Sequence, residues 1–218
     1  MNKEMVGPVR AFVFDLDGTL IDSKMDLVHS VNAMLRKTRR AKLPAELIAS
    51  YVGHGAGQLI ASALGPAASE EQRKEALAVF LAHYQDHKLD LTRPYPGVAE
   101  GLRRLHGHRL AVLTNKPVMM SVEILQGLKL EKYFRAIYGG DSFATKKPDP
   151  SGALVLLKEL GVPPSESAMV GDSDVDFQTA RNAGMLAVGV SYGFGQQDRE
   201  KQPADVYVDS LTELLAMT

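Results

Sequence analysis

The 218 residues are 45% hydrophobic and 23% charged, carry a formal net charge of −1 and include no cysteine. Such a chain has apolar material for a real core, and its length suits one α/β domain or a core with a smaller insertion. Near-neutral charge gives no global attraction to nucleic acid or an anionic membrane, and the lack of thiols excludes disulfide, thiolate and iron–sulfur chemistry.

Eight mixed residues open the chain, and a core-like strand, "VRAFVF" (9–14), follows at once. No stretch reaches the ~20 apolar residues of a membrane helix and no signal peptide is visible, so a cytoplasmic protein is expected. The strand runs into "DLDGTL", where Asp15 and Asp17 share one face roughly 7 Å apart. Two like charges that close raise each other's pKa unless a cation sits between them, so the pair asks for a metal, a proton or another explanation. From 22 to 92 there is no strand-like run, only helical periodicity. Leu27, Val28, Val31, Met34 and Leu35 form one apolar stripe, Ala56, Leu59, Ile60, Ala63 and Leu64 a second, and a third helix is expected over 71–87. The basic run "RKTRRAK" (36–42) follows the first stripe. It reads as a solvated helix end, where cations suit the helix dipole, rather than as a nucleic-acid patch.

"RPYPGV" (93–98) brings the chain back through a rigid turn. Buried-strand patterns at 109–114, 136–140, 167–172, 186–190 and 205–208 then alternate with helical ones at 118–128, 150–160, 174–182 and 210–216. Pro117 stands where proline opens a helix. Strands alternating with helices predict a doubly wound, mostly parallel α/β sheet of Rossmann-like kind, with an α-helical insertion. The core would comprise 1–21 and 93–218, and the insertion 22–92.

Ligands of such sheets bind beyond the carboxyl ends of the strands. The first strand ends in Asp15 and Asp17, the second in Thr114 and Asn115. Lys146 and Lys147 follow the third in "TKKPDP", and "GDSDVD" after the fourth brings Asp172, Asp174 and Asp176. Carboxylates from two strands suit an octahedral Mg²⁺. A hydroxyl, an amide and a lysine beside them complete a pocket for phosphate.

These motifs resemble those of the haloacid dehalogenase-like hydrolases. "FDLDGTL", "LTN", "KKP" and "GDSDVD" match the family's four motifs in order, and the resemblance covers nearly the whole chain. It implies that Asp15 is the nucleophile, transiently phosphorylated, and that Asp17 protonates the leaving group and later deprotonates water. The acid role suits a carboxyl crowded by other carboxylates. The resemblance further implies that Thr114 and Asn115 bind phosphoryl oxygens and that a lysine neutralises charge on Asp15. Lys146 and Lys147 compete for that place, and Pro148 selects Lys147. Asp15, the backbone carbonyl of Asp17, and Asp172 would hold Mg²⁺, with Asp176 supporting that shell. Residues 22–92 resemble the family's C1 cap, a lid that closes over the site. "YVGHGAGQLI", "TNKPVMMSVEIL" and "YFRAIYGGDS" resemble the phosphoglycolate phosphatase branch most. A Mg²⁺-dependent phosphatase acting on a small phosphorylated metabolite, 2-phosphoglycolate first, is the implied function. An inorganic pyrophosphatase or a β-phosphoglucomutase-like mutase is the alternative on this scaffold.

Rival readings of single motifs are weaker. "DSDVD" lacks the glycine and glutamate of a calcium loop, having Phe177 and Ala183 there. "GHGAG" (53–57) follows no strand and lacks the lysine of a nucleotide-binding loop. It is a cap tip near substrate or a turn opening the next helix, and His54 is a candidate for substrate contact. His83 and His87 have zinc-helix spacing without its glutamate and are read as exposed helix histidines. "GVSYGFG" (189–195) is read as a loop at the active-site rim. A phospho-acceptor receiver would carry its aspartate on the third strand and lack the insertion.

Overall fold

Alternation along the first strand decides how the molecule is layered. The computed structural model describes residues 8–195 and 203–218. In β1 (Ala11–Phe14), Phe12 and Phe14 enter one apolar cluster, while Ala11 and Val13 enter another on the opposite face. A strand covered on both faces belongs in the middle of a parallel sheet. The sheet order is β5-β4-β1-β6-β7-β8, all parallel, with β4 (Arg109–Leu113), β5 (Ala136–Tyr138), β6 (Ser167–Gly171), β7 (Leu186–Val190) and β8 (Val206–Val208). Phe14 is in register with Val112 on one side and Val170 on the other. One face is covered by α7 (Ser151–Leu160) and α8 (Asp174–Ala183), through Leu156, Leu157, Phe177 and Ala180. The other takes α5 (Val98–Arg104) and α6 (Val118–Gly127) through Leu102, Ile124 and Leu125.

Four helices stand between β2 (Ile21–Asp22) and β3 (Arg93–Pro94), which pair with each other antiparallel. They are α1 (Lys24–Lys37), α2 (Ala45–Ala49), α3 (Ala56–Leu64) and α4 (Glu70–His87). The five-residue stripe of α1 is buried as its spacing predicts, and α1 packs along α4. Ser69 and Gln72 close a capping box that starts α4, whose Ala76, Phe80 and Tyr84 point inward at four-residue intervals. Buried Asp26 at the start of α1 accepts from Leu91 N, Thr92 N and Thr92 Oγ1, tying the two chain crossings together.

Several elements differ from expectation. The last segment, Leu211–Met217, is a 3₁₀ helix rather than an α-helix. Three residues per turn place Leu211 and Leu214 on one line, and both are buried. Helix α5 escapes the sequence pattern because Gly101 interrupts it. A Cβ there would meet Leu211 Cβ at 2.7 Å, so the glycine permits the close approach of the 3₁₀ segment. His83 is half-buried rather than exposed, 3.0 Å from Ser30 Oγ, while His87 pairs with Asp90 at the surface. No helix among the described residues is long and apolar enough to cross a membrane.

Candidate active site

Strands β4, β1 and β6 lie side by side, and the residues that follow them are Thr114, Asp15 and Asp172. All three are buried. Asp15 N donates to Val170 O at 2.9 Å, which continues the β1–β6 ladder one residue past the strand. The chain then turns through Gly18, at φ 85°, where a Cβ would come within 2.4 Å of Asp172 Oδ2. Only glycine fits that backbone and that gap. Thr19 Oγ1 donates to Asp172 Oδ1 at 3.1 Å, while Phe194 N and Gly195 N donate to Oδ2 at 2.8 and 3.0 Å. The segment 189–195 therefore reaches the site through its backbone amides.

Asp15, Asp172 and Asp176 each offer an oxygen within 4.8 Å of the others. Lys147 Nζ lies 2.8 Å from Asp15 Oδ1 and 2.6 Å from Asp176 Oδ1. Lys146 is exposed, and a Cβ on Gly55 would be 3.5 Å from its Nζ. Asp176 spends its second oxygen on Ser173 N and Ser173 Oγ at the start of α8. Asp176 is fully buried and holds Lys147, whereas Asp15 and Asp172 line the polar cavity above the strand ends. Burial, then Asp176 against the pull of Lys147, raises the Asp15 carboxyl to about 6. Burial and the nearby Asp176 and Asp15 raise Asp172 to about 7, against the Gly195 and Phe194 amides. Burial alone would lower the Lys147 ammonium, but Asp15 and Asp176 hold it above its ordinary value. Three carboxylates against one ammonium leave negative charge in excess, and an oxygen-ligated divalent cation fits that deficit.

Asp17 is surrounded differently from the crowding its sequence position suggests. Both its oxygens accept from Lys116 Nζ, each at 3.0 Å, and one also accepts from Ser23 Oγ. Lys116 Nζ donates to Tyr84 Oη at 2.8 Å and stands 4.4 Å from the centre of that ring.

The haloacid dehalogenase-like hydrolase family matches residues 12–190. A phosphoglycolate phosphatase of Neisseria meningitidis is 40% identical over 217 residues, covering 94% of this chain and 92% of its own. One from Pseudomonas syringae pv. tomato is 40% identical over 94% of this chain and 78% of its own. A crystal structure of a predicted phosphoglycolate phosphatase from Haemophilus somnus superposes with a TM-score of 0.88 at 30% identity, covering 95% of this chain and 97% of that one. The chain is a haloacid dehalogenase-like hydrolase.

In this hydrolase the remaining expected residues take distinct places. Thr114 lines the hollow beside Asp15 and Asp17, and its Oγ1 accepts from Lys116 N at 3.3 Å. Asn115 is engaged with backbone. Its Nδ2 donates to Gly53 O at 2.9 Å and Lys147 O at 3.0 Å, and its Oδ1 accepts from Lys147 N at 3.0 Å. Both amide hydrogens are used, so the side chain is a clamp joining the insertion, β4 and the lysine loop. It is not a free donor for a phosphoryl oxygen. His54 is exposed and lines a polar cavity of about 240 Å³ with Asp15, Asp17 and Asp172. A smaller, mostly apolar hollow of about 50 Å³ adjoins it, sharing Asp15, Asp17, Val52 and Gly53. Lys116 lines the apolar hollow and went unread in the sequence, although it directly follows "LTN" at a strand's carboxyl end, where a lysine carries the same signal as in "KKP".

Proposed function

We propose that this hydrolase removes the phosphoryl group from a small phosphate monoester, with 2-phosphoglycolate its first substrate, by way of an aspartyl-phosphate on Asp15. The observation that carries this reading is Asp15 at the end of the central strand, paired with Lys147 at 2.8 Å and facing Asp172. An Asp15 oxygen attacks phosphorus as the ester oxygen leaves, and Asp17 protonates that oxygen. Asp17 then takes a proton from water, which attacks the aspartyl-phosphate, releasing phosphate and restoring Asp15. Lys147 offsets charge on Asp15 and the phosphoryl group, and the Thr114 hydroxyl donates to a phosphoryl oxygen. Asp15, the backbone carbonyl of Asp17, and Asp172 would hold Mg²⁺, which when bound supplies positive charge against the carboxylates and phosphoryl oxygens. Residues 22–92 act as the cap, and Gly53 and His54 bring its rim against the cavity. The proposed setting is the cytoplasm.

Phosphate release from 2-phosphoglycolate, pyrophosphate, glucose phosphates and p-nitrophenyl phosphate, with Mg²⁺ and with EDTA, tests this. Release should peak on 2-phosphoglycolate, vanish with EDTA, and fall by about 10⁴-fold or more in Asp15→Asn, since the nucleophile itself is lost. A peak on another substrate would remove phosphoglycolate. Activity indifferent to EDTA or to Asp15→Asn would remove the mechanism.

A further inference from the structure

Among the described residues, Lys116 is a buried cation with one carboxylate partner, Asp17, and a phenol, Tyr84. Burial would lower its ammonium, yet Asp17 and Tyr84 hold it above its ordinary value. The hollow it lines is walled by Val52, Leu59, Phe80 and Met120. Lys147, by contrast, is bound to two carboxylates at the reacting end of the site. An anionic tail entering the apolar hollow thus meets Lys116 in surroundings poor in water, where a charge-assisted hydrogen bond is strong. Asp17 has its own difficulty. It accepts from Lys116 on both oxygens and from Ser23 on one, so in this arrangement it is held away from a leaving oxygen.

We propose that Lys116 recognises a carboxylate on the substrate's leaving group, and that in doing so it exchanges Asp17 for that carboxylate and releases Asp17 for proton transfer. One ion pair is broken and one is made, and the freed Asp17 carboxylate takes a proton from solvent, which it then passes to the leaving oxygen. The substrate class is then a phosphate monoester whose alcohol portion carries a carboxylate. This inference rests on the phosphatase reading and deepens it by naming the specificity residue.

The test compares 2-phosphoglycolate with 2-hydroxyethyl phosphate, which replaces the carboxylate by an uncharged hydroxymethyl group. In wild type, kcat/KM should favour phosphoglycolate by about 30-fold or more, as expected for a buried charged contact. In Lys116→Met that ratio should fall toward one, and Lys116→Arg should recover a large part of it. Equal turnover of the two esters by wild type, which needs no variant, overturns the inference and leaves the phosphatase standing. So does a ratio unchanged in a folded Lys116→Met. Release from neither ester by wild type removes phosphoglycolate as the substrate and the inference with it, while the phosphatase mechanism stands or falls on the wider panel above.

Discussion

Asp15 and Asp172 set the balance of charge at the site. Both carboxyls lie above their ordinary value of 3.8, at about 6 and about 7. A raised carboxyl favours the folded state while protonated, and that contribution is lost as pH rises through the folded pKa. Without a divalent cation the protein should therefore lose stability from these two groups between about pH 4 and about pH 7. A bound cation neutralises the deprotonated pair and opposes that loss. The expected result is a melting-temperature difference between Mg²⁺ and EDTA that is small near pH 5 and widens to about 5 °C by pH 8. Asp172→Asn should narrow it. A difference that stays flat across this range, or survives Asp172→Asn, would rule out the cation site. The pair itself was legible in the sequence, because Asp15 ends the first strand and Asp172, in "GDSDVD", ends another. The neighbours of Asp17 were not legible. Lys116 and Ser23 reach it through the turn at Gly18 and the start of α6, and no spacing along the chain encodes that meeting.

Elements in the middle of the sheet were readable because their residues are apolar on both faces. Elements that depend on partners were not. Strands β2 and β3 are two residues each, too short for any alternation, and exist because the chain crosses between core and insertion there twice. Helix α2 is five residues and helix α5 has a glycine in its middle. At that crossing Asp26 does the joining, fully buried, with the amides of Leu91 and Thr92 and the Thr92 hydroxyl donating to it at 2.7–3.0 Å. Asp26→Ala would strand these donors without partners. It should cost about 3 kcal/mol in urea unfolding, and Thr92→Val, which removes only the hydroxyl, about 1 kcal/mol. Equal and negligible losses would mean that water replaces the carboxylate and the junction is not held by it.

At the scale of the whole molecule, insertion and core are joined by more than the two crossings. A single apolar cluster includes Phe14 and Val112 of the sheet together with Leu27, Ile60 and Phe80 of the insertion. Two polar bridges cross the same boundary, Asn115 to Gly53 O and Lys116 to Tyr84. A cap held by linkers alone would melt separately, because its few contacts with the core would give it a stability of its own. A cap sharing apolar contacts with the sheet should unfold with it. Phe80 tests the difference, since it is buried in α4, stacked on Tyr84 with ring centres 5.6 Å apart, and lines the hollow against the core. Phe80→Ala leaves a cavity costing about 3–5 kcal/mol. In a chain of this size that lowers the melting temperature by about 10 °C. Calorimetry should show one transition moved down intact, with near- and far-ultraviolet circular dichroism melting together. Two resolved transitions, only the lower of them moved, would show that the helices of 22–92 fold as a separate unit and that the shared cluster does not couple them to the sheet.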